Sequence, residues 1–280
     1  MKVIVTGSQG MLSQDLIPII STEHETVSLA ANELDITNKE KVFDVIGESK
    51  ADLVINCAAY SQVDQAETEI EQAFRINAYG VQQLALACRQ HRSTLCHIST
   101  DYVFDGTKNE PYQPFDQPNP ISRYGASKLA GEKFVQSILN RYYLIRTSSL
   151  YGKNGNNFVH TILQLAKKGG PLKVVCDQQM SPTWTVNLAQ GILRLISTGN
   201  FGTYHLTDRT NGGISWHEFA GRILERKGNH AEVEPITTKQ FARPAKRPAY
   251  SVLDTSLFTL CSGYEPLPWE ESLKRFLETI

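Results

Sequence analysis

Through its first 152 residues the chain alternates short β-branched runs with stretches of helical period, and no other feature restricts the fold as much. "KVIVTG" (2–7), "ETVSLA" (25–30), "ADLVINCAA" (51–59), "TLCHIST" (94–100) and "YYLIRTSSLYG" (142–152) have the composition of strands. Between them lie helical patterns: "QGMLSQDLIPII" (9–20), "NKEKVFDVIGES" (38–49), "EIEQAFRINAYGVQQLALACRQ" (69–90) and "SRYGASKLAGEKFVQSIL" (122–139). Strands that are buried on both faces and joined through helices predict an α/β chain built on a Rossmann-type, doubly wound parallel sheet. A sheet of that kind binds ligands beyond the carboxyl ends of its strands.

After residue 152 the rhythm weakens. Helical patterns recur at 157–170, 185–198 and 215–228, the last opening with a Ser215 and Glu218 capping box. "GTYHLTD" (202–208) is a strand that would rejoin the main sheet. The expected division is a dinucleotide-binding domain of 1–151 together with 185–208, and a smaller C-terminal substrate-binding lobe of 152–184 and 209–280. A chain of 280 residues can bury the cores that this requires. "DGTKNEPYQPFDQPNPIS" (105–122) interrupts the pattern as a long loop, the kind of segment that often serves a site.

Charge excludes several classes of partner. The formal net charge is −1, which gives no basis for electrostatic capture of nucleic acid or of an anionic membrane. The short basic stretch "RPAKRP" (243–248) suits a small phosphorylated ligand equally well. No apolar run approaches the roughly 20 residues needed to span a bilayer. Five cysteines without a CxxC pair read as free thiols of a reducing compartment. A strand begins at once, without a secretory pattern before it, and the expected location is the cytoplasm.

The first strand–helix junction carries "TGSQGMLS" (6–13). Gly7 permits a tight turn, and Gly10 lets the backbone approach a pyrophosphate at the positive end of the helix. Ser13 takes the third position, where glycine or alanine is usual. Gln9, Met11 and Leu12 complete the turn as candidate cofactor contacts. No acid closes the second strand, in "SLAAN" (28–32), and this leans towards NADP over NAD. Asp35 and Ile36 follow, either near the adenine or, for Asp35, as a cap on the next helix. "STDYVF" (99–104) ends the fourth strand with Ser99 and with Thr100, whose hydroxyl can hydrogen-bond a substrate carbonyl. Tyr124 and Lys128 stand four apart on one helix face. A phenol normally titrates near 10, and a nearby ammonium would lower that value. Tyr124 would then protonate the alkoxide formed when hydride reaches a ketone.

This constellation resembles the extended short-chain dehydrogenases/reductases over almost the whole chain. "CAAYSQVDQAE" (57–67), "STDYVFDG" (99–106), "YGASKLAGE" (124–132), "RTSSLYG" (146–152), "GNNFV" (155–159), "DQQMSPT" (177–183) and "RPAYSVLD" (247–254) occur in this order. Together they are similar to the dTDP-4-dehydrorhamnose reductase family. The resemblance implies reduction of the 4-keto group of a thymidine-diphosphate 6-deoxysugar by NADPH or NADH, with Thr100, Tyr124 and Lys128 as catalytic residues. It implies that Ala58, Ala59 and Tyr60 lie beside the nicotinamide ribose and that Asn77 supports the active site. It places Val63, Asp101, Tyr102, Asn157 and Phe158 at the sugar nucleotide and Arg247 near its diphosphate.

The chain departs from the family pattern at Ser149, where a tryptophan beside the substrate is usual. The departure points towards a specialised branch that makes a spore-coat or other surface polysaccharide. Some members pair as homodimers through magnesium and acidic residues. Asp15 fits one such position, but Val186 occupies another, so no metal site is expected. Two alternatives stay open: a reductase or epimerase of another nucleotide-linked keto-sugar, and a non-catalytic NADP-binding regulatory subunit.

Overall fold

Runs such as Val3-Ile4-Val5, fully buried along their length, require cover on both faces of a sheet. The computed structural model describes residues 1–280 and supplies that cover with helices. The first half runs β1 (Lys2–Thr6), α1 (Met11–Ile20), β2 (Glu25–Leu29), α2 (Lys39–Ser49), β3 (Leu53–Asn56), α3 (Ile70–Phe74), α4 (Val81–His91), β4 (Thr94–Thr100), α5 (Arg123–Ile138) and β5 (Tyr142–Thr147). The second half runs β6 (Leu150–Tyr151), α6 (Phe158–Lys168), β7 (Leu172–Val175), β8 (Gln179–Met180), β9 (Thr183–Trp184), α7 (Thr185–Ile196) and β10 (Gly202–His205). It ends with β11 (Ile214–Ser215), α8 (Trp216–Arg226), β12 (Val233–Ile236), α9 (Thr238–Phe241), α10 (Ser256–Ser262) and α11 (Trp269–Leu277).

Six strands form one parallel sheet in the order β10-β5-β4-β3-β1-β2. The chain leaves β1 for β2 on one side and returns to β3 on the other. The crevice outside β1 and β3 is therefore the topological switch point, where ligands of such sheets bind. β10 closes the far edge, with Gly202–His205 in register with Tyr143–Arg146.

Two cores sandwich this sheet. One is built with Leu12, Leu16 and Ile20 of α1 and Leu188, Ile192 and Leu195 of α7. The other uses Val42 and Ile46 of α2, Leu84 and Cys88 of α4, and Val135 of α5. A third core is separate and joins Tyr151, Val159, Phe219, Ile223, Trp269 and Phe276. Phe258 of α10 packs into the first core, so that helix leans on the large sheet and not on the third core.

The helical pattern over 69–90 is not one continuous helix. Between α3 and α4, residues Arg75–Gly80 form a π-helical turn. A single widened turn leaves the apolar period on either side almost intact, so the pattern alone does not reveal it. Such turns occur often at functional sites, and Asn77 lies within this one.

Candidate active site at the carboxyl ends of the strands

The turn after β1 is shaped for close approach. Gly7 has φ +67°, and a β-carbon there would stand 2.7 Å from the Ala58 backbone, so a side chain is excluded both by conformation and by space. Gly10 is the N-cap of α1; no side chain caps this terminus and no acid occupies its first turn. Its amides keep their affinity for an anion, and the helix dipole adds to it. Ser13 is buried with its hydroxyl unpartnered. A cavity of about 260 Å³ opens here, lined by Gly7, Gln9, Gly10, Asp35, Ile36, Ala58 and Ala59, with Ala31, Leu34, Cys57 and Ile76. Asp35 is not the cap of α2; Asn38 is, accepting from the Lys41 amide at 3.1 Å. The Asp35 carboxylate takes the Thr37 amide and hydroxyl at 2.9 and 2.8 Å. The glycine cradle and the uncapped helix terminus fit a dinucleotide.

Gly10, Cys57 and Ala59 also line a second cavity, of about 460 Å³, which continues the first. It gathers Met11, Leu12, Val63, Ser99, Thr100, Asp101, Tyr102, Tyr124, Lys128 and Ser149. Local packing explains the convergence. β4 delivers Thr100 at its end, and Ser122 caps α5 by accepting from the Gly125 amide at 3.1 Å. A β-carbon at 125 would lie 2.1 Å from the Tyr102 carbonyl oxygen. The absent side chain thus lets α5 start directly against the end of β4, and Tyr124 and Lys128 face the cavity together. Gly125→Ala should push the two apart. Its expected result is a loss of turnover of tenfold or more, with a lower melting temperature, checked by assay and thermal unfolding.

Burial dominates the electrostatics. It pushes the Tyr124 phenol up to about 12, partly offset by its contact with the Thr100 hydroxyl. It brings Lys128 down to about 8, against the opposing charge of Glu132. The Lys128 ammonium donates to the Ile98 carbonyl at 2.7 Å. The expectation that Lys128 lowers the Tyr124 value therefore does not hold in this structure: burial sets the shift, and the ammonium is engaged on β4. Tyr124 is accordingly a neutral O–H donor throughout the physiological pH range.

Buried groups beneath the cavity hold these elements. Asn77 accepts from the Tyr60 amide at 2.9 Å and donates to the Tyr60 carbonyl and the Ser127 hydroxyl, each at 3.0 Å. It ties the segment after β3 to α5 but lines neither cavity, and Tyr60 also stays outside them. Ser99 donates to Glu132 at 2.5 Å, and Glu132 receives Arg146 in a bidentate pair at 3.0 and 2.7 Å.

A third cavity, of about 740 Å³, shares Tyr102 and Trp216 with the second. Phe158, Ile162, Leu172, Val174 and Phe241 give it an apolar wall, and Lys173, Lys239, Arg243, Lys246 and Arg247 supply five cations against one acid, Asp64. Arg247 forks onto Asp64 at 2.9 and 3.0 Å, which holds the Asp64 carboxyl below its usual range. Asn157 does not line these cavities; it caps α6 and donates to the Gly152 carbonyl at 2.8 Å. Asp15 accepts from the Thr185 hydroxyl. The sequence motifs contain Cys57, Thr147 and Ser148 but gave them no role, and Trp216 carried no signal; all four line the second cavity. Of the cations of the third, only the "RPAKRP" stretch gave a signal.

A parallel sheet with this switch point, a glycine cradle after β1 and a Tyr–Lys pair at the opening of α5 is the framework of the short-chain dehydrogenases/reductases, and the protein is of that class. The family model described as the RmlD substrate binding domain matches residues 1–280, and the chain belongs to that family. The dTDP-4-dehydrorhamnose reductase of Aggregatibacter actinomycetemcomitans is 38% identical, over 98% of this chain and 97% of its own. The spore coat polysaccharide biosynthesis protein SpsK of Bacillus subtilis is 37% identical, over 99% and 97%. The crystal structure of dTDP-4-dehydrorhamnose reductase from Bacillus anthracis in complex with NADP superposes with a TM-score of 0.96 at 41% identity, covering 100% of this chain and 99% of that one.

Proposed function

We propose that the protein reduces the 4-keto group of dTDP-4-dehydro-6-deoxy-L-mannose to give dTDP-L-rhamnose, with NADPH as the reductant and NADH as a possible substitute. The observation that carries this is the convergence of Thr100, Tyr124 and Lys128 in one cavity that continues into the glycine cradle on one side and the cationic cavity on the other. The full-length likeness to dTDP-4-dehydrorhamnose reductases supports it.

NADPH, when bound, supplies the hydride. Gly7, Gly10 and the amides opening α1 would hold its pyrophosphate, Asp35 and Ile36 would border its adenosine end, and Lys128 would serve its nicotinamide ribose. Thr100 orients the substrate carbonyl. Tyr124 releases its phenolic proton to the carbonyl oxygen as that oxygen gains charge, and a phenol held neutral by burial is in the correct state to do so. Tyr102, Val63 and Ser149 border the sugar. The cations of the third cavity receive the diphosphate, and its apolar wall receives the base.

The division of labour we assign is a nucleotide-binding domain of 1–151 with 185–208 and a substrate lobe of 152–184 and 209–280; the separate third core supports it, with Tyr151 reaching into that core and α10 docked back on the sheet. Five unpaired cysteines support a cytoplasmic location, and no helix is long and apolar enough to cross a membrane.

Incubation with NADPH and the 4-keto sugar nucleotide should oxidise the cofactor, followed by its absorbance; no oxidation above the blank overturns the assignment. Arg247→Ala should raise KM for the sugar nucleotide roughly ten- to hundredfold, the range for a hydrogen bond to a charged group, with kcat much less affected.

A further inference from the structure

The Thr100 hydroxyl has one hydrogen and more than one claim on it. It donates that hydrogen to Asp101 Oδ1 at 3.1 Å. One of its lone pairs accepts from the Tyr102 amide at 3.2 Å. While the hydrogen points at a carboxylate it is not available to a substrate carbonyl, and a hydroxyl without its hydrogen turned to the carbonyl orients nothing. Asp101 is buried, with 2% of its surface exposed, and its Oδ2 takes the Ser148 hydroxyl at 2.8 Å. A protonated Asp101 reverses the first of these bonds. The acid O–H then donates to the second lone pair of Thr100 Oγ1, and the threonine hydrogen turns into the cavity, on the side where its hydroxyl meets Tyr124.

The geometry points to Asp101 as a positioning residue that acts through Thr100: its neutral form turns the threonine hydrogen onto the substrate carbonyl, and its ionised form withholds it. This rests on the ketone-reductase reading of the site. Burial raises the Asp101 carboxyl to about 6 despite hydrogen bonds from Ser251, Ser148 and Thr100. The groups that face it are Thr100 of β4, Tyr102 of the turn that follows, Tyr124 of α5, Ser148 after β5 and Ser251 ahead of α10, and none of them carries a charge at neutral pH. Within this site Asp101 changes state near 6, below Lys128, which does so near 8, while Tyr124 keeps its proton up to about 12.

The direction follows. The neutral fraction falls about tenfold for each pH unit above the carboxyl's own value, so kcat/KM should fall by the same factor along an alkaline limb that begins near 6. Asp101→Asn keeps an amide N–H that donates to Thr100 and an oxygen that accepts from Ser148, and it cannot titrate. The test is the pH profile of kcat/KM between 5 and 9 for the wild type and for this variant, with binding of NADPH as a separate readout. Loss of the limb that begins near 6 is the expected result in Asp101→Asn, which leaves any alkaline fall to begin near 8, where Lys128 gives up its proton. A variant profile with the same limb as the wild type overturns the proposal, and so does a variant that binds NADPH but turns over at no pH, because the carboxylate itself is then required. Ser148→Ala removes a donor that favours the ionised form, so its limb should move to higher pH; an unmoved limb or one shifted down also overturns the proposal, including where the asparagine variant does not fold. A wild type that is inactive at every pH fails the reductase reading instead.

Discussion

Tyr124→Phe is expected to lower kcat by roughly 100- to 10,000-fold, the range for removing a positioned proton donor. Affinity for NADPH should change by no more than about tenfold, the worth of one neutral hydrogen bond. The ring remains, so the edge-on contact with Tyr102, with centroids 6.0 Å apart, and the start of α5 are retained. The acceptor of the proton is an alkoxide, far more basic than a phenolate even when burial has pushed the phenol to about 12. Single-turnover assays with fluorescence titration of the cofactor separate the two quantities. A variant that turns over at the wild-type rate removes Tyr124 from the chemistry.

Glu132→Ala should have the largest effect on stability. Glu132 is fully buried, and it receives both Arg146 and Ser99. Removing it leaves the Arg146 guanidinium, with 3% of its side chain exposed, held only by the Pro114 carbonyl and the neighbourhood of Phe104 and His205. An uncompensated buried charge of this kind costs about 3–5 kcal/mol, which for a domain of this size lowers the melting temperature by roughly 6–20 °C. Glu132→Gln keeps an acceptor for Ser99 and for one arm of the fork, so it should lose less. Thermal unfolding followed by near-UV circular dichroism reads both, and a shift of under about 2 °C for the alanine variant contradicts the network. The same change takes away the charge that favours protonated Lys128, so the proportion of ionised lysine near pH 8 should fall as well.

Much of this was legible in the residues. Strand runs such as "KVIVTG" are apolar on both faces, and that together with the intervening helical patterns implies a parallel sheet covered by helices. Gly7 flags the cradle because only glycine satisfies a left-handed turn pressed against the Ala58 backbone, and Gly10 because a β-carbon there would crowd the Gly7 carbonyl oxygen at 3.2 Å. Thr100, Tyr124 and Lys128 were found because each stands at a strand end or a helix start. Trp216 was not found, and Ser148 was given no role although it lies in the motif "RTSSLYG", because its hydrogen bond to Asp101 joins residues 47 apart in the chain. Trp216 follows an ordinary Ser215 cap, and its place between two cavities depends on how the third core docks against the sheet. The π-turn at Arg75–Gly80 escaped for a related reason: it packs against a distant helix at Gly131, where a β-carbon would meet the Asn77 carbonyl oxygen at 2.1 Å.

The sequence by itself determined which groups take part: a glycine turn, a hydroxyl, a phenol, an ammonium and a set of cations, each tied to local backbone geometry that short-range chemistry dictates. The tertiary structure alone decided their charge states and their directions. A side chain's pKa depends on how much water the whole fold removes from around it, and on this account Tyr124 moved up rather than down. A hydroxyl's hydrogen follows the acceptor that packing brings nearest, and at Thr100 that acceptor is Asp101.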